Sequence, residues 1–363
     1  MGAITAQDIV CVIPCAGKGT RMQPLTYTRA KALLPVCNAP VLGHILGALA
    51  EAGIRRACLV VNPDDEQLAA YVKDHAPPGL TATTVPQPKP LGLGHAVLCG
   101  RDEVGDHPLM VYLGDSLYGD RVQGFVKQFV DHWPKGLLRL QPVAEPQHYG
   151  VAAPDKTGRL TQAIEKANHP PTNLAITGLY AFRPGFFQIL EDTRPGTGGE
   201  IQITDGIHAA LAEEPGIWGE VYEGLWADCG RPQQFLAANA ALLKDLTSVD
   251  SAPGGVRIGG GSQIQNVAFR GPVLVGRDCQ ISDAEIVGPC SINDGATIAG
   301  TTLRNTIVDR EAHLEAVQGG IVDCIIGVGA ELKGEGPNSS LVGAVVGDGS
   351  RLRLHGPTAR DSA

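Results

Sequence analysis

The chain has 363 residues, enough for two or three domains at about 150 residues each. Hydrophobic residues make up 43% and charged residues 18%, an ordinary globular composition. Lys+Arg total 29 against 38 Asp+Glu, and this net −9 argues against a non-specific nucleic-acid binder while leaving room for a small anionic ligand. No apolar run approaches the ~20 residues of a membrane span. Met1–Ala6 lacks the basic start and apolar stretch of a signal peptide, and position 6 is not the Ser/Thr of a myristoylation signal. The expectation is a cytoplasmic protein with neither membrane nor nucleic-acid partner. The nine cysteines include no CxxC pair, and Cys11, Cys58, Cys99 and Cys324 sit in apolar runs, so they read as buried free thiols.

Residues 1–250 alternate strand and helix patterns. Ile9–Pro14 is a buried strand, and Leu42, Ile45, Leu46 and Leu49 follow helical spacing up to a stop at Gly53. Ala57–Asn62 reads as a strand and Asp64–His75 as an amphipathic helix with Asp64 as its cap. Leu80–Val85 is a strand, Leu93–Gly100 a helix, and Leu109–Leu113 a strand. Strands follow at Leu137–Ala144, Arg159–Glu165 and Leu174–Phe182, then helices at Thr204–Ala212 and Pro232–Leu246. The alternation predicts an α/β domain with a mostly parallel sheet and a ligand site at the carboxyl ends of its strands.

Beyond Asp250 the composition changes. Residues 251–363 contain 20 of the 47 glycines, one lysine (Lys333), one aromatic (Phe269) and no Trp or Tyr, and Ser251–Gly255 reads as a linker. Aliphatics recur six apart: Val275, Ile281 and Val287; Ile292 and Ile298; Val308 and Leu314; Ile326 and Leu332; Val346 and Leu352. This is the pattern of a β-helix of hexapeptide repeats, in which one aliphatic per short strand points inward. The expected domains are 1–250 and 251–363. The flat faces and open ends of such a solenoid predict self-association into a homo-oligomer.

Two segments carry chemistry. The stretch Ile13–Pro24 places Gly17 and Gly19 after the first strand, where exposed backbone N–H groups suit a phosphate. It is not GxGxxG, because Met22 stands at the third glycine, and Lys18 precedes Gly19, which breaks P-loop spacing. Lys18, Arg21, Arg29 and Lys31 make the loop basic, which fits a polyphosphate and fits a solvated surface loop equally. In Tyr112-Leu-Gly-Asp115 a carboxylate follows an apolar strand, and Asp228 stands beside a glycine in Trp226-Ala-Asp-Cys-Gly230. Each alone suits a turn; with a phosphate loop they suit a divalent metal and nucleotide.

The loop followed by Lys31-Ala-Leu-Leu-Pro-Val36, with Arg21 and Lys31 ten apart, resembles the sugar-phosphate nucleotidyltransferase signature. The resemblance continues through Gln87–Val97, Leu113-Gly-Asp115, Tyr149-Gly150-Val151, Ile164-Glu165-Lys166, Asn173–Tyr180, Gly199–Asp205 and Ala227–Gly230. Gly271–Gly276 and Glu315–Gly327 are similar to the long form of glucose-1-phosphate thymidylyltransferases. The resemblance implies a Rossmann-like nucleotidyltransferase domain followed by a left-handed β-helix. It implies a Mg²⁺-dependent in-line attack of a sugar 1-phosphate on the α-phosphorus of dTTP, releasing pyrophosphate.

By the same resemblance, Ala16, Gly17, Gly19, Thr20, Arg21 and Lys31 hold the triphosphate, and Arg21 and Lys31 stabilise the leaving pyrophosphate. Asp115 and Asp228 hold Mg²⁺, and Asp115 also counts among the nucleotide contacts. Lys166 binds the attacking phosphate, Glu165 accepts from sugar hydroxyls and Gly150 offers its N–H. Asn173 and Tyr180 line the sugar pocket, while Gln87 reads the base edge with Gly92 packed under it. Ala167 and Cys15 depart from the family's usual Pro and Ala/Gly, without removing a functional group. Leu91–Val97 and Gly198–Asp205 are also similar to bacterial UTP–glucose-1-phosphate uridylyltransferases, so UTP stays open beside dTTP, as does another sugar phosphate. Further alternatives are a non-catalytic subunit, and an acyltransferase built on His313 or His355.

Overall fold

The computed structural model describes residues 4–196, 199–248, 255–336 and 338–356. The chain forms two compact units: Met1–Gly17 with Leu42–Trp226, and Lys18–Val41 with Ala227–Ala363. The linker expected at Ser251–Gly255 lies outside the described residues except for Gly255.

The first unit is built on a nine-stranded sheet. Its strands are β1 (Val10–Pro14), β2 (Arg56–Val61), β3 (Thr81–Pro86), β4 (Leu109–Tyr112), β5 (Gly136–Pro142), β6 (Gly150–Pro154), β7 (Leu160–Glu165), β8 (Leu174–Phe182) and β9 (Ile217–Val221). The order is β7-β6-β8-β4-β1-β2-β3, with β5 pairing both β8 and β9. The run β3-β2-β1-β4 is parallel. Strand β8 is antiparallel to β4, β5 and β6, so the sheet is mixed on that side. The parallel strands are continuous apolar runs because helices cover both faces: Val10–Ile13 and Ala57–Val61 are all buried.

Helix α1 (Val41–Glu51) buries Leu42, Ile45, Leu46 and Leu49 and ends where Gly53 turns the chain at φ +86°. Helix α2 (Glu66–His75) begins two residues after the expected Asp64, and its cap is one residue later: Asp65, not Asp64, accepts from the N–H groups of Gln67 and Leu68. Helices α3 (Leu93–Cys99), α4 (Arg101–Val104), α5 (Gln123–His132), α6 (Phe186–Asp192) and α7 (Ile203–Ala210) complete this unit. Among the described residues no helix is long and apolar enough to cross a membrane.

In the second unit, α8 (Pro232–Ser248) precedes a parallel β-helix whose side chains stack in three columns. Val275, Ile292, Val308, Ile326 and Val346 form one column through successive pairings. Ile281, Ile298, Leu314, Leu332 and Leu352 form the second. Ile286, Leu303, Ile321 and Leu341 form the third. The six-residue spacing therefore holds between the first and second columns only. Val287 is a correction: Ile286 is fully buried and Val287 half-buried, because the third side starts five residues after Ile281. Leu352, in the last coil, is 36% exposed.

The cysteines are free. Cys15 and Cys99 are half-buried and the other seven are buried. Burial pushes the Cys37, Cys58 and Cys290 thiols up to about 12 and Cys11 well above its ordinary value. A thiol reagent should thus label the native protein at Cys15 and Cys99 alone on a fast timescale and all nine after denaturation; fast native labelling of Cys11 or Cys58 would contradict this packing.

Arg139 on β5 is fully buried and held by Asp120 and Glu220, each at 2.8 Å, with its guanidinium 4.2 Å from the Tyr222 ring centroid. Removing it strands two carboxylates, a loss of about 3–5 kcal/mol for a broken buried pair. Arg139→Ala should lower the denaturation midpoint clearly, and an unchanged midpoint would rule out a structural role for this cluster.

Candidate functional site

The glycine loop leaves the carboxyl end of β1, where the strand order turns from β2 on one side to β4 on the other. That is the switch point at which ligands bind in open α/β sheets. The start of the loop meets the end of β4 closely. Gly114 N donates to Pro14 O at 3.3 Å, and a Cβ on Gly114 would stand 2.5 Å from Cys15 Sγ. Only glycine allows this approach, and it sets Pro14 and Cys15, the start of the glycine loop, against the turn that carries Asp115. Asp115 is half-buried, and its charge contributes to raising the Tyr118 and Tyr180 hydroxyls, after the larger effect of their burial. The far end of this turn is fixed by Asp120 on Arg139 and by the Tyr118 hydroxyl donating to Thr177 O at 2.6 Å.

Gln87 follows β3 and is 8% exposed. Its Nε2 donates to Gly92 O at 3.2 Å and lies 3.1 Å from His95 Nδ1. Gly92 has φ +95°, and a Cβ there would meet Ile201 O at 2.8 Å. The Glu200–Gln202 stretch lies directly against this turn: Gly94 N donates to Ile201 O at 2.7 Å and Ile201 N to Leu91 O at 2.8 Å.

Glu165 ends β7 and pairs with Gly150 in antiparallel register. The Thr204 hydroxyl donates to Glu165 Oε2 at 2.9 Å, and Lys166 Nζ stands 3.2 Å from Glu165 Oε1. Lys166 is exposed and held at φ +42°, with its N–H on Tyr149 O. Tyr180 on β8 is buried, and its hydroxyl is raised by burial first, then by Glu165, Tyr118 and Asp115. Tyr180 is therefore close enough to Glu165, Tyr118 and Asp115 to feel their charge or dipole. Asn173 is exposed just before β8, with its carbonyl accepting from Val143 N.

The remaining candidates belong to the second unit. Gly19 O accepts from Met22 N and from Thr26 Oγ1. Thr20 and Arg21 are exposed in a short 3₁₀ turn (Thr20–Met22), and Lys31 is half-buried at the start of another (Lys31–Leu33). Arg29 is a correction to its reading as a phosphate cation, because Asp309 and Asp348 engage it. Asp228 ends the strand Trp226–Asp228 and accepts from Gln234 Nε2 at 3.3 Å. Asp115 and Asp228 offer hard carboxylate oxygens, the donors Mg²⁺ takes when substrate phosphates complete its shell. Among the described residues no cluster of three or more His, Cys, Asp or Glu could hold a metal by itself. His313 is exposed, and His355 pairs with Glu335 at 3.5 Å on an exposed strand.

Sequence reasoning missed Thr204, His95 and Ile201 as supporting residues. Thr204 and Ile201 stood in the stretch Gly199–Asp205 with no role attached, since their partners are 39 residues and more than 100 residues away in the chain.

Residues 10–245 match the family model for nucleotidyl transferases. The chain belongs to the nucleotidyl transferase family. It is 35% identical over 332 residues to a low-salt glycan biosynthesis nucleotidyltransferase of Haloferax volcanii, across 88% of this chain and 93% of the relative. It is 34% identical over 316 residues to a glucose-1-phosphate thymidylyltransferase of Streptomyces antibioticus, across 85% and 89%. Among solved structures, a UDP-glucose pyrophosphorylase complexed with UDP-glucose is similar, with TM-score 0.60, 28% identity, and coverage of 65% of this chain and 98% of that one. These findings support sugar-1-phosphate nucleotidyltransferase activity.

The Gly92 turn gives a direct check on the geometry. In Gly92→Ala the added carbon meets backbone that cannot step aside, and φ +95° with ψ 177°, a region that glycine alone adopts readily, costs an L-residue about 1–3 kcal/mol besides. Thermal unfolding should shift down by several degrees, with faster amide exchange across 87–95; an unshifted transition would contradict the close approach.

Proposed function

We propose that this nucleotidyl transferase joins glucose 1-phosphate to dTTP, giving dTDP-glucose and pyrophosphate. The observation that carries the reading is the approach of Pro14 and Cys15, where the glycine loop starts, to the Gly114–Asp115 turn at a switch point, an arrangement that suits a phosphate next to a carboxylate. The thymidylyl choice is supported by the Streptomyces relative, whose match extends over 85% of this chain. The Gln87 amide supports a pyrimidine of the thymine or uracil type. With Nε2 committed to Gly92 O and His95 Nδ1, its Oε1 is left to accept, which suits the ring N3–H of thymine or uracil and not the acceptor N3 of cytosine.

In this reading Ala16, Gly17, Gly19 and Thr20 present the loop to the triphosphate. Arg21 and Lys31 bind it and stabilise the charge that builds on pyrophosphate as it leaves. Asp115 and Asp228 would hold Mg²⁺, which supplies charge neutralisation on the reacting phosphates. Lys166 aligns the attacking phosphate, Glu165 (held by Thr204) accepts from sugar hydroxyls, Gly150 donates its N–H, and Asn173 and Tyr180 bound the sugar. Positioning and charge neutralisation are what phosphoryl-type transfers need most. Residues 1–250 supply this chemistry, and the β-helix of 251–363 carries self-association. In this reading the reaction takes place in the cytoplasm.

UTP is the second reading, favoured by the likeness to the UDP-glucose pyrophosphorylase. The two bases differ by one methyl, worth only ~1–3 kcal/mol in an apolar pocket. Pyrophosphate release from dTTP, UTP, ATP, CTP and GTP with glucose 1-phosphate and Mg²⁺ should be fastest with dTTP. A clear UTP preference would replace the thymidylyl reading. Asp115→Asn and Asp228→Asn should each lower kcat by about a hundredfold or more, and full turnover in both would refute the metal assignment. Light scattering of the full chain should give a mass above that of one chain, and a monomer at micromolar concentration would remove the assembly role.

A further inference from the structure

We propose that Arg29 is a positioning residue through which the β-helix of the same chain holds the triphosphate loop in its working conformation. This rests on the reading that residues 18–34 bind the triphosphate.

Arg29 lies between Arg21 and Lys31, yet its guanidinium faces two acids of the β-helix. Nη1 donates to Asp309 Oδ2 at 2.8 Å, Nε to Asp348 Oδ2 at 2.9 Å and Nη2 to Asp348 Oδ1 at 2.9 Å. The side chains of Arg29, Asp309 and Asp348 are 13%, 3% and 15% exposed. Two carboxylates neutralise Arg29, so it serves as an anchor and not as a phosphate ligand. The acids are oriented by the β-helix itself. Asp309 Oδ1 accepts from Asn293 Nδ2 and Arg310 N, and Asp348 Oδ1 accepts from Val328 N. Thr28 Oγ1 donates to Asp348 Oδ2 at 2.5 Å, beside the Arg29 fork.

Asp309 follows Val308, and Asp348 stands two residues beyond Val346. Both aliphatics belong to one inward column, so the stacked coils fix the spacing of the acids. The loop is tied again at its far end. Asn38 Nδ2 donates to Ile292 O at 2.8 Å, while the buried Asn239 of α8 accepts at Oδ1 from Cys37 N and Ser291 Oγ, both at 2.9 Å. Between β1 and the short strand Pro35–Val36, the loop contains only three 3₁₀ turns of three residues each, too little regular structure to order itself. Ordering it on each binding event would draw on the binding energy of the nucleotide. The anchor removes that cost beforehand, so its loss falls on the triphosphate and not on the sugar phosphate, whose proposed contacts lie on β6, β7 and β8 or beside them.

The test uses the full chain with Arg29→Ala, Arg29→Lys, Asp348→Asn and the Arg29→Ala/Asp348→Asn double variant. Arg29→Ala and Asp348→Asn should each raise the KM for the nucleoside triphosphate by about tenfold, with the KM for glucose 1-phosphate changed by less than about twofold. The double variant should be no worse than the more damaging single by more than about twofold, because both remove one interaction. Arg29→Lys keeps the charge but not the fork and should fall between. Hydrogen exchange should quicken in 18–34 and stay unchanged in 256–304. Equal losses toward both substrates, additive singles, or exchange quickened throughout would overturn the proposal as mere destabilisation. Should the wild-type chain transfer no nucleotide to any sugar phosphate, the function fails by itself; exchange still decides the anchor, supporting it if 18–34 quickens in Arg29→Ala and overturning it if that segment is unaltered.

Discussion

Strand β1 is paired in parallel on both edges, with β2 along its whole length and with β4 along Val10–Val12. Those hydrogen bonds and the burial of Val10–Ile13 fix where the chain must emerge. The rest of the site follows from that exit. The chain leaves β1 at Pro14 hard against the β4 end, close enough that Gly114 can carry no side chain, and the Asp115 turn begins beside the glycine loop. Arg139, buried beneath the same turn with Asp120, keeps its other end from moving. A mobile turn would offer a carboxylate in many places; this one offers it in one.

Much of this was legible in the sequence, for physical reasons. The parallel strands are two-face-buried apolar runs, so Val10–Ile13 and Ala57–Val61 announce themselves, and the strand Leu174–Phe182 has the bounds its sequence pattern predicts. Column formation in the β-helix shows as aliphatics six apart from Val275 to Leu352, since one side of a coil passes to the next at that spacing. The third side was not legible. Its distance from the second runs from five residues (Ile281 to Ile286) to nine (Leu332 to Leu341), so no single period captures it. The antiparallel arm of the sheet was equally hidden, because strand direction is set by pairing and not by composition.

At the site, residues that would touch substrate stood in compact local motifs: Gly17 to Lys31, Gln87, Asp115, Glu165-Lys166 and Asp228. Residues that hold those in place did not. Thr204 orients Glu165 across 39 positions, and Asp348 holds Arg29 across 319. A charge run such as Lys18–Lys31 looks uniformly phosphate-directed until its partners are known. Arg29 differs from Arg21 by what faces it, which is a property of the fold. The β-helix accordingly helps to hold the loop, since 18–41 is compact with 227–363.

If this chain makes a new phosphoanhydride between a sugar phosphate and a nucleotide α-phosphate, that bond can be followed as it forms. ³¹P NMR of one reaction mixture with glucose 1-phosphate, dTTP and Mg²⁺ reads that bond directly. A pair of mutually coupled diphosphate resonances should grow in step with free pyrophosphate, while the glucose 1-phosphate signal declines. Orthophosphate and a nucleoside diphosphate appearing with glucose 1-phosphate untouched would mean hydrolysis of the triphosphate, and would contradict nucleotide transfer.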